Sequence, residues 1–157
     1  ASAVICAKAG ANVRLVGRSI EKAEKTAAIC NDRYQSKNVV AGADADKQDY
    51  LNKADIVLNT GAAGIQLMSD ENIQMSSNLK ICADTNAVPP SGIAGVDVMD
   101  SGKIMEKSPN KCRGIGALAI GNVKYKSQHE CLKLMYTSDD PVYLDFEDAF
   151  KFAQKSV

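Results

Sequence analysis

Three features of this 157-residue chain predict an α/β fold, a doubly wound parallel sheet with helices on both faces. Short apolar runs alternate with helical patterns from one end to the other. The run Ile56-Val57-Leu58 is continuous rather than alternating, as in a strand covered on both sides. Several runs end in loops of small or cationic residues, which is where ligands sit on such sheets.

Taken in order, residues 1–9 (ASAVICAKA) read as a helix already under way, because they carry no N-cap signal, and Gly10 is its C-cap. Residues 13–16 form a strand ended by Gly17. Ser19 is the N-cap of a helix reaching about Tyr34, with Ile20, Ala23, Ala27 and Cys30 recurring on one face. Val39 and Val40 mark a strand over 38–41, and 46–53 is a brief helix with Tyr50 and Leu51 as its apolar contacts.

Residues 55–59 (DIVLN) are the clearest strand. A weak helical stretch follows the small-residue loop 60–64 and passes through Leu67, Met68 and the acidic 69–71. Residues 80–83 (KICA) are another buried strand, and Pro89 and Pro90 hold the loop after it extended. The segment 93–98 is a further short strand, whereas 99–110 is polar and irregular. Arg113-Gly114-Ile115-Gly116 opens the longest helix, over about 117–136, with Leu118, Val123, Leu132 and Met135 as its core face. Residues 138–141 (SDDP) break it, and Asp145 caps a last helix that carries Phe146, Ala149, Phe150 and Ala153 on one face.

Composition narrows the function classes. Lysine plus arginine equals aspartate plus glutamate, 19 of each, so no global field draws nucleic acid or an anionic membrane. No apolar stretch is long enough to span a bilayer. The five cysteines (Cys6, Cys30, Cys82, Cys112, Cys131) are scattered and never form C-x-x-C, which fits reduced thiols in a cytoplasmic protein. His129 is the single histidine, so a His-rich metal site is excluded and no metal is expected.

Three strand-end loops carry the candidate chemistry. After the strand at 13–16 come Gly17, Arg18 and Ser19, with Lys22 one helical turn on. In a dinucleotide-binding sheet the end of the second strand meets the adenosine ribose. An acidic residue there would accept from a 2′-hydroxyl, whereas the planar fork of Arg18 attracts a 2′-phosphate, which predicts NADP. Ser19 adds a hydroxyl and aims the helix N-terminus at the same anion. The alternative is that Arg18 and Lys22 are solvated surface charges. The loop Thr60, Gly61, Ala62, Ala63, Gly64 lets the backbone approach a flat ligand. Asn86 offers an amide to a carboxamide or ribose, or closes an Asx-turn. No G-x-G-x-x-G lies between a strand and a helix, so the first strand and its pyrophosphate-binding glycines are expected upstream of Ala1.

The segments GRSIEKA, NTGAAGIQLM, ADTNAVPPSGIAGVD and RGIGALAIGNVKYK resemble, in order along the whole chain, the NAD(P)-dependent methylene-tetrahydromethanopterin dehydrogenases. These are bacterial enzymes of one-carbon metabolism and methylotrophy, with some members active on methylene-tetrahydrofolate. The resemblance implies a Rossmann-like fold lacking its first strand and Gly-rich loop. Residues 1–157 would be a partial NAD(P)-binding domain, with the N-terminal substrate domain absent and the fragment alone inactive. It implies hydride transfer from the methylene carbon to NADP (or NAD), no metal or flavin, and a homo-oligomer for the full-length enzyme. It also points to Lys124, in G-x-x-K-x-K, as the residue that stabilises charge on the pterin or orients it. GRSIEKA alone is also similar to the turn of shikimate dehydrogenases, and a non-catalytic nucleotide-binding module is the reading from outside enzymology.

Overall fold

In the computed structural model, which describes residues 1–156, the chain divides into two compact units, Ala1–Tyr50 and a second that begins at Leu51. Both are α/β with parallel strands, as the alternation in the sequence predicts.

The first unit opens with α1 (Ser2–Lys8). Gly10 follows it at φ +93°, a left-handed turn that glycine takes without strain. Strand β1 (Val13–Gly17) pairs in parallel with β2 (Val39–Ala43), in register from Val13↔Val39 to Gly17↔Ala43. Helix α2 (Ile20–Tyr34) makes the crossover between them. It begins where Ser19 Oγ accepts from Lys22 N–H, and it ends at Gln35, which is left-handed at φ 54°. Ala23, Ala27 and Cys30 are buried as their spacing predicts. Ile20 is exposed instead, because it sits in the first turn, at the lip where the strand has already ended. After β2 a single 3-10 turn (Asp44–Asp46) leads into α3 (Lys47–Leu51). The guanidinium of Arg14 stacks 4.9 Å from the centre of the Tyr50 ring and donates to Ala41 O.

The second unit has β3 (Ile56–Asn59), α4 (Asp70–Met75), β4 (Ile81–Asp84), β5 (Ser101–Ile104), β6 (Arg113–Ile115), α5 (Ala117–Thr137) and α6 (Phe146–Gln154). Its sheet runs β3–β4–β6–β5, with only β5 antiparallel. Ile73, Leu79 and Ile93 are sealed from solvent in the core with Met68, Val96 and Met105. Burial of such side chains is worth roughly 1.5–3 kcal/mol each. Ser69 and Asn72 form a reciprocal capping box at α4, and Asp145 and Asp148 form one at α6.

Several expectations are corrected. The segment 93–98 is not a strand. Ile93 makes one isolated bridge to Met68, after which Gly95 turns the chain at φ +80°. The polar stretch 99–110 contains β5, and Arg113–Ile115 is a strand rather than a helix start. Strand β3 is not covered on both sides, since Ile56 and Leu58 are exposed. Helix α5 does not bury its expected face. Leu118, Leu132 and Met135 are exposed, Ser127 is its buried residue, and Ser127 Oγ donates to Ala149 O of α6.

Gly116 is required by a close approach. A Cβ there would lie 2.0 Å from the carbonyl oxygen of Asp97, whereas one on Gly121 meets nothing within 4 Å. Gly116→Ala is expected to lower stability by about 1–3 kcal/mol, and Gly121→Ala to raise it by about 0.5–1 kcal/mol. Urea titration of the two variants checks both signs.

Cys82 of β4 and Cys112, just before β6, have their sulfurs 3.5 Å apart, both free and fully buried. Burial, then the proximity of the Cys112 sulfur, pushes the Cys82 thiol far up, and burial raises Cys112 as well. Both thiols are therefore held neutral in the folded state but ionise freely in the unfolded chain. Their contribution is complete below the ordinary thiol value of 9.0 and is lost as pH rises past it. The urea midpoint should fall above that pH, and fall less in Cys82→Ala.

Candidate functional site

The first unit presents a strand-end turn that gathers two cations beside a helix N-terminus. β1 ends at Gly17, Arg18 is exposed, and Ser19 caps α2. Gly17, Arg18, Ser19 and Lys22, with Leu15, Ala23 and Thr26, line an open depression of about 520 Å³. Ser19 Oγ already accepts from Lys22 N–H at 3.4 Å, so its hydroxyl proton is left to point outward. The side chains of Arg18 and Lys22 make no hydrogen bond or ion pair among the described residues. Two free cations over one concavity at a helix N-terminus suit a phosphate. Glu21 is the nearby carboxylate of the first turn and does not line the depression.

The second unit brings the other two loops together. Asn59 and Asp84 are register partners at the carboxyl ends of β3 and β4, and both are buried. Asn59 Nδ2 donates to Asp84 Oδ1 at 2.7 Å, and Asn59 Oδ1 accepts from Gly61 N–H at 3.0 Å. Asp84 Oδ1 also accepts from Asn86 N–H, and its Oδ2 accepts from Ile93 N–H at 2.9 Å. Asn86 Oδ1 accepts from Val88 N–H, which closes the Asx-turn, and from Gly64 N–H at 3.2 Å. Asn86 Nδ2 donates to Pro90 O. The amide of Asn86 is therefore committed to holding loops and is not turned to the surface. Thr60, Gly61, Ala62 and Ala63 are exposed. The N–H groups of Ala62 and Ala63 have no acceptor among the described residues.

Asn59 and Asp84 are the residues that the sequence reading overlooked. Each is the polar residue closing an apolar run, in DIVLN and in KICAD, and that coincidence at two strand ends was the available signal. A second overlooked pattern is Gly114-Ile115-Gly116-Ala117-Leu118-Ala119. It fits the looser G-x-G-x-x-A form between a strand and a helix. Its geometry does not leave a phosphate site. Gly116 N–H donates to Asp100 O and Leu118 N–H to Val98 O, and the 97–98 backbone fills the space beside Gly116.

Lys124 is exposed in the second turn of α5, with no side-chain partner among the described residues. Lys126, by contrast, lines an open depression of about 550 Å³ between α5 and α6, with Tyr125, His129, Phe152 and Lys155. Among the described residues, no group of three or more His, Cys, Asp or Glu side chains is placed to hold a metal ion. Nor is any helix among the described residues long and apolar enough to cross a membrane.

An NAD(P)-dependent methylenetetrahydromethanopterin dehydrogenase from Methylorubrum extorquens is 37% identical to this chain over 155 residues, 97% of the chain and 52% of that relative. The resemblance to these dehydrogenases holds along nearly the whole chain. The bifunctional protein MdtA of the same organism is 36% identical over 149 residues, 93% of the chain and 50% of that protein. The chain thus spans about half the length of the curated relatives it matches. No family model matches it.

Proposed function

We propose that this chain is the cofactor-binding part of an NADP-dependent methylene-tetrahydromethanopterin dehydrogenase of one-carbon metabolism. Methylene-tetrahydrofolate is the alternative substrate. The observation that carries the NADP half of this reading is the pair of uncommitted cations, Arg18 and Lys22, over the depression at the end of β1. The substrate half rests on the similarity to the named dehydrogenase.

In this reading Arg18, Lys22 and Ser19 hold the 2′-phosphate, and Gly17 keeps the turn open beneath the ribose. In the second unit, taken by itself, Thr60, Gly61, Ala62, Ala63 and Asn86 are the proposed cofactor-binding residues: the exposed backbone at 60–63 suits a flat ring, and Asn86 braces that loop from behind. The dinucleotide, when bound, supplies the hydride acceptor. The methylene carbon of the reduced pterin gives up one hydride and becomes the methenyl form, so two electrons and one hydrogen leave together and no base is required. The protein's task is then orientation of two rings. Lys124 is assigned to the pterin, where its charge orients the ring system. A substrate domain in the remaining half of the relatives' length, a homo-oligomeric full-length enzyme and a cytoplasmic location complete the proposal.

Three outcomes are expected of the full-length protein. Arg18→Ala should weaken NADP binding about tenfold or more, the worth of a charge-assisted hydrogen bond, while NAD binding changes little. Calorimetric titration with both nucleotides measures this, and equal losses would rule out a 2′-phosphate role. Methylene-tetrahydromethanopterin should reduce NADP, followed at the absorbance of the reduced nicotinamide. Lys124→Ala should lower kcat/KM for the pterin without changing the dissociation constant for NADP. Oxidation of shikimate in place of the pterin would overturn the substrate assignment.

A further inference from the structure

A densely hydrogen-bonded polar cluster lies behind the 60–64 loop, at the in-register pair Asn59 and Asp84. Asp84 is 1% exposed and Asn59 6%. A buried carboxylate is costly unless each oxygen is satisfied, and here three N–H donors converge on it. Two of those donors belong to the chain that follows β4, at Asn86 and Ile93. The third is the side chain of Asn59, whose oxygen in turn fixes Gly61. The Asn59–Asp84 hydrogen bond is thus the link between the root of one loop and both ends of the other. Gly92 closes around the same link, since a Cβ there would lie 1.8 Å from Asn59 Nδ2.

We infer that Asn59 and Asp84 are positioning residues of the strand-end site, and that their hydrogen bond holds the 60–64 loop in the one geometry that offers its free N–H groups to the dinucleotide. The inference rests on the dinucleotide reading of that site. Neither side chain reaches the ligand. They act through the backbone of Gly61 and, by way of Asn86, through that of Gly64.

Asn59→Asp in the full-length protein tests this through pH. The substitution replaces the Nδ2 donor with an oxygen and sets two buried carboxylates in hydrogen-bond contact. They can close the link only by sharing one proton. The raised pKa of that pair means the link is present at low pH and lost as pH rises. Affinity for NADP should be within about threefold of wild type near about pH 5, and about tenfold or more weaker near about pH 8. The ratio of variant to wild-type affinity is the readout, so titrations common to both proteins cancel. Circular dichroism at each pH confirms that the fold persists, and a role in stability alone would move the melting temperature and leave the affinity ratio flat. A flat ratio overturns the inference and leaves the dinucleotide reading intact. Wild-type protein that binds neither NADP nor NAD overturns both. Should the variant fail to fold, hydrogen exchange on nucleotide-free wild type decides. Amides of Gly61, Asn86 and Ile93 are expected to exchange as slowly as those of the β3–β4 ladder, and fast exchange there overturns the inference.

Discussion

A carboxylate at the buried end of the central strand is the constraint on which the second unit depends. β4 lies between β3 and β6, and its residues Cys82, Ala83 and Asp84 are all buried. Two of them are apolar in character and the third would cost several kcal/mol there without partners. Satisfying it dictates what surrounds it. The chain must return at Ile93 to donate a backbone N–H, and the neighbouring strand must end in an amide. Residue 92 must be glycine so that the return can pass. The local sequence from 84 to 93 is therefore written around one side chain.

The two candidate sites use opposite designs for this reason. Behind the 60–64 loop nearly every polar side chain is committed, so the loop is held in place and, in the proposed reading, the ligand meets backbone. At the end of β1 the polar groups are exposed and uncommitted, so recognition falls to long side chains. Stiff backbone suits a ring that must be oriented for hydride transfer. Mobile cations suit a phosphate, where charge matters more than angle. With a net charge of zero, the protein as a whole adds no attraction, and the two cations must supply it locally.

The sequence showed some of this well and some of it not at all. Helix α2 was legible because its signals are local: a serine cap and helical spacing of small residues. β3 and β4 were legible because an apolar run of strand length has few other uses. β5 and β6 were not, because each is only three or four residues long, and polar or glycine-bearing, so pairing alone makes them strands. The exposed Leu118, Leu132 and Met135 show a different limit. Helical periodicity identifies a face fit for burial, but it does not say what buries it, and in this unit α5 packs against α6 through Ser127 instead. At the candidate site the chain read as a row of small residues and one amide. The contact between Asn59 and Asp84 spans 25 positions and could not be read from spacing.

In the proposed reading, cofactor choice follows from an asymmetry in how the turn after β1 is built. An acidic residue at that position would accept from a 2′-hydroxyl and repel a 2′-phosphate, so it would exclude NADP. Arg18 has no such opposite effect. Left unpaired beside a 2′-hydroxyl it remains hydrated, because it is exposed and no other group depends on it. In the proposed reading its charge therefore favours NADP without forbidding NAD. An exposed ion pair is worth only about 1 kcal/mol, and the planar fork raises that when two hydrogen bonds form at once. Preference rather than exclusion is the selectivity such a turn produces. Sharper discrimination would need the phosphate to be enclosed, and the depression at Gly17, Arg18, Ser19 and Lys22 is open.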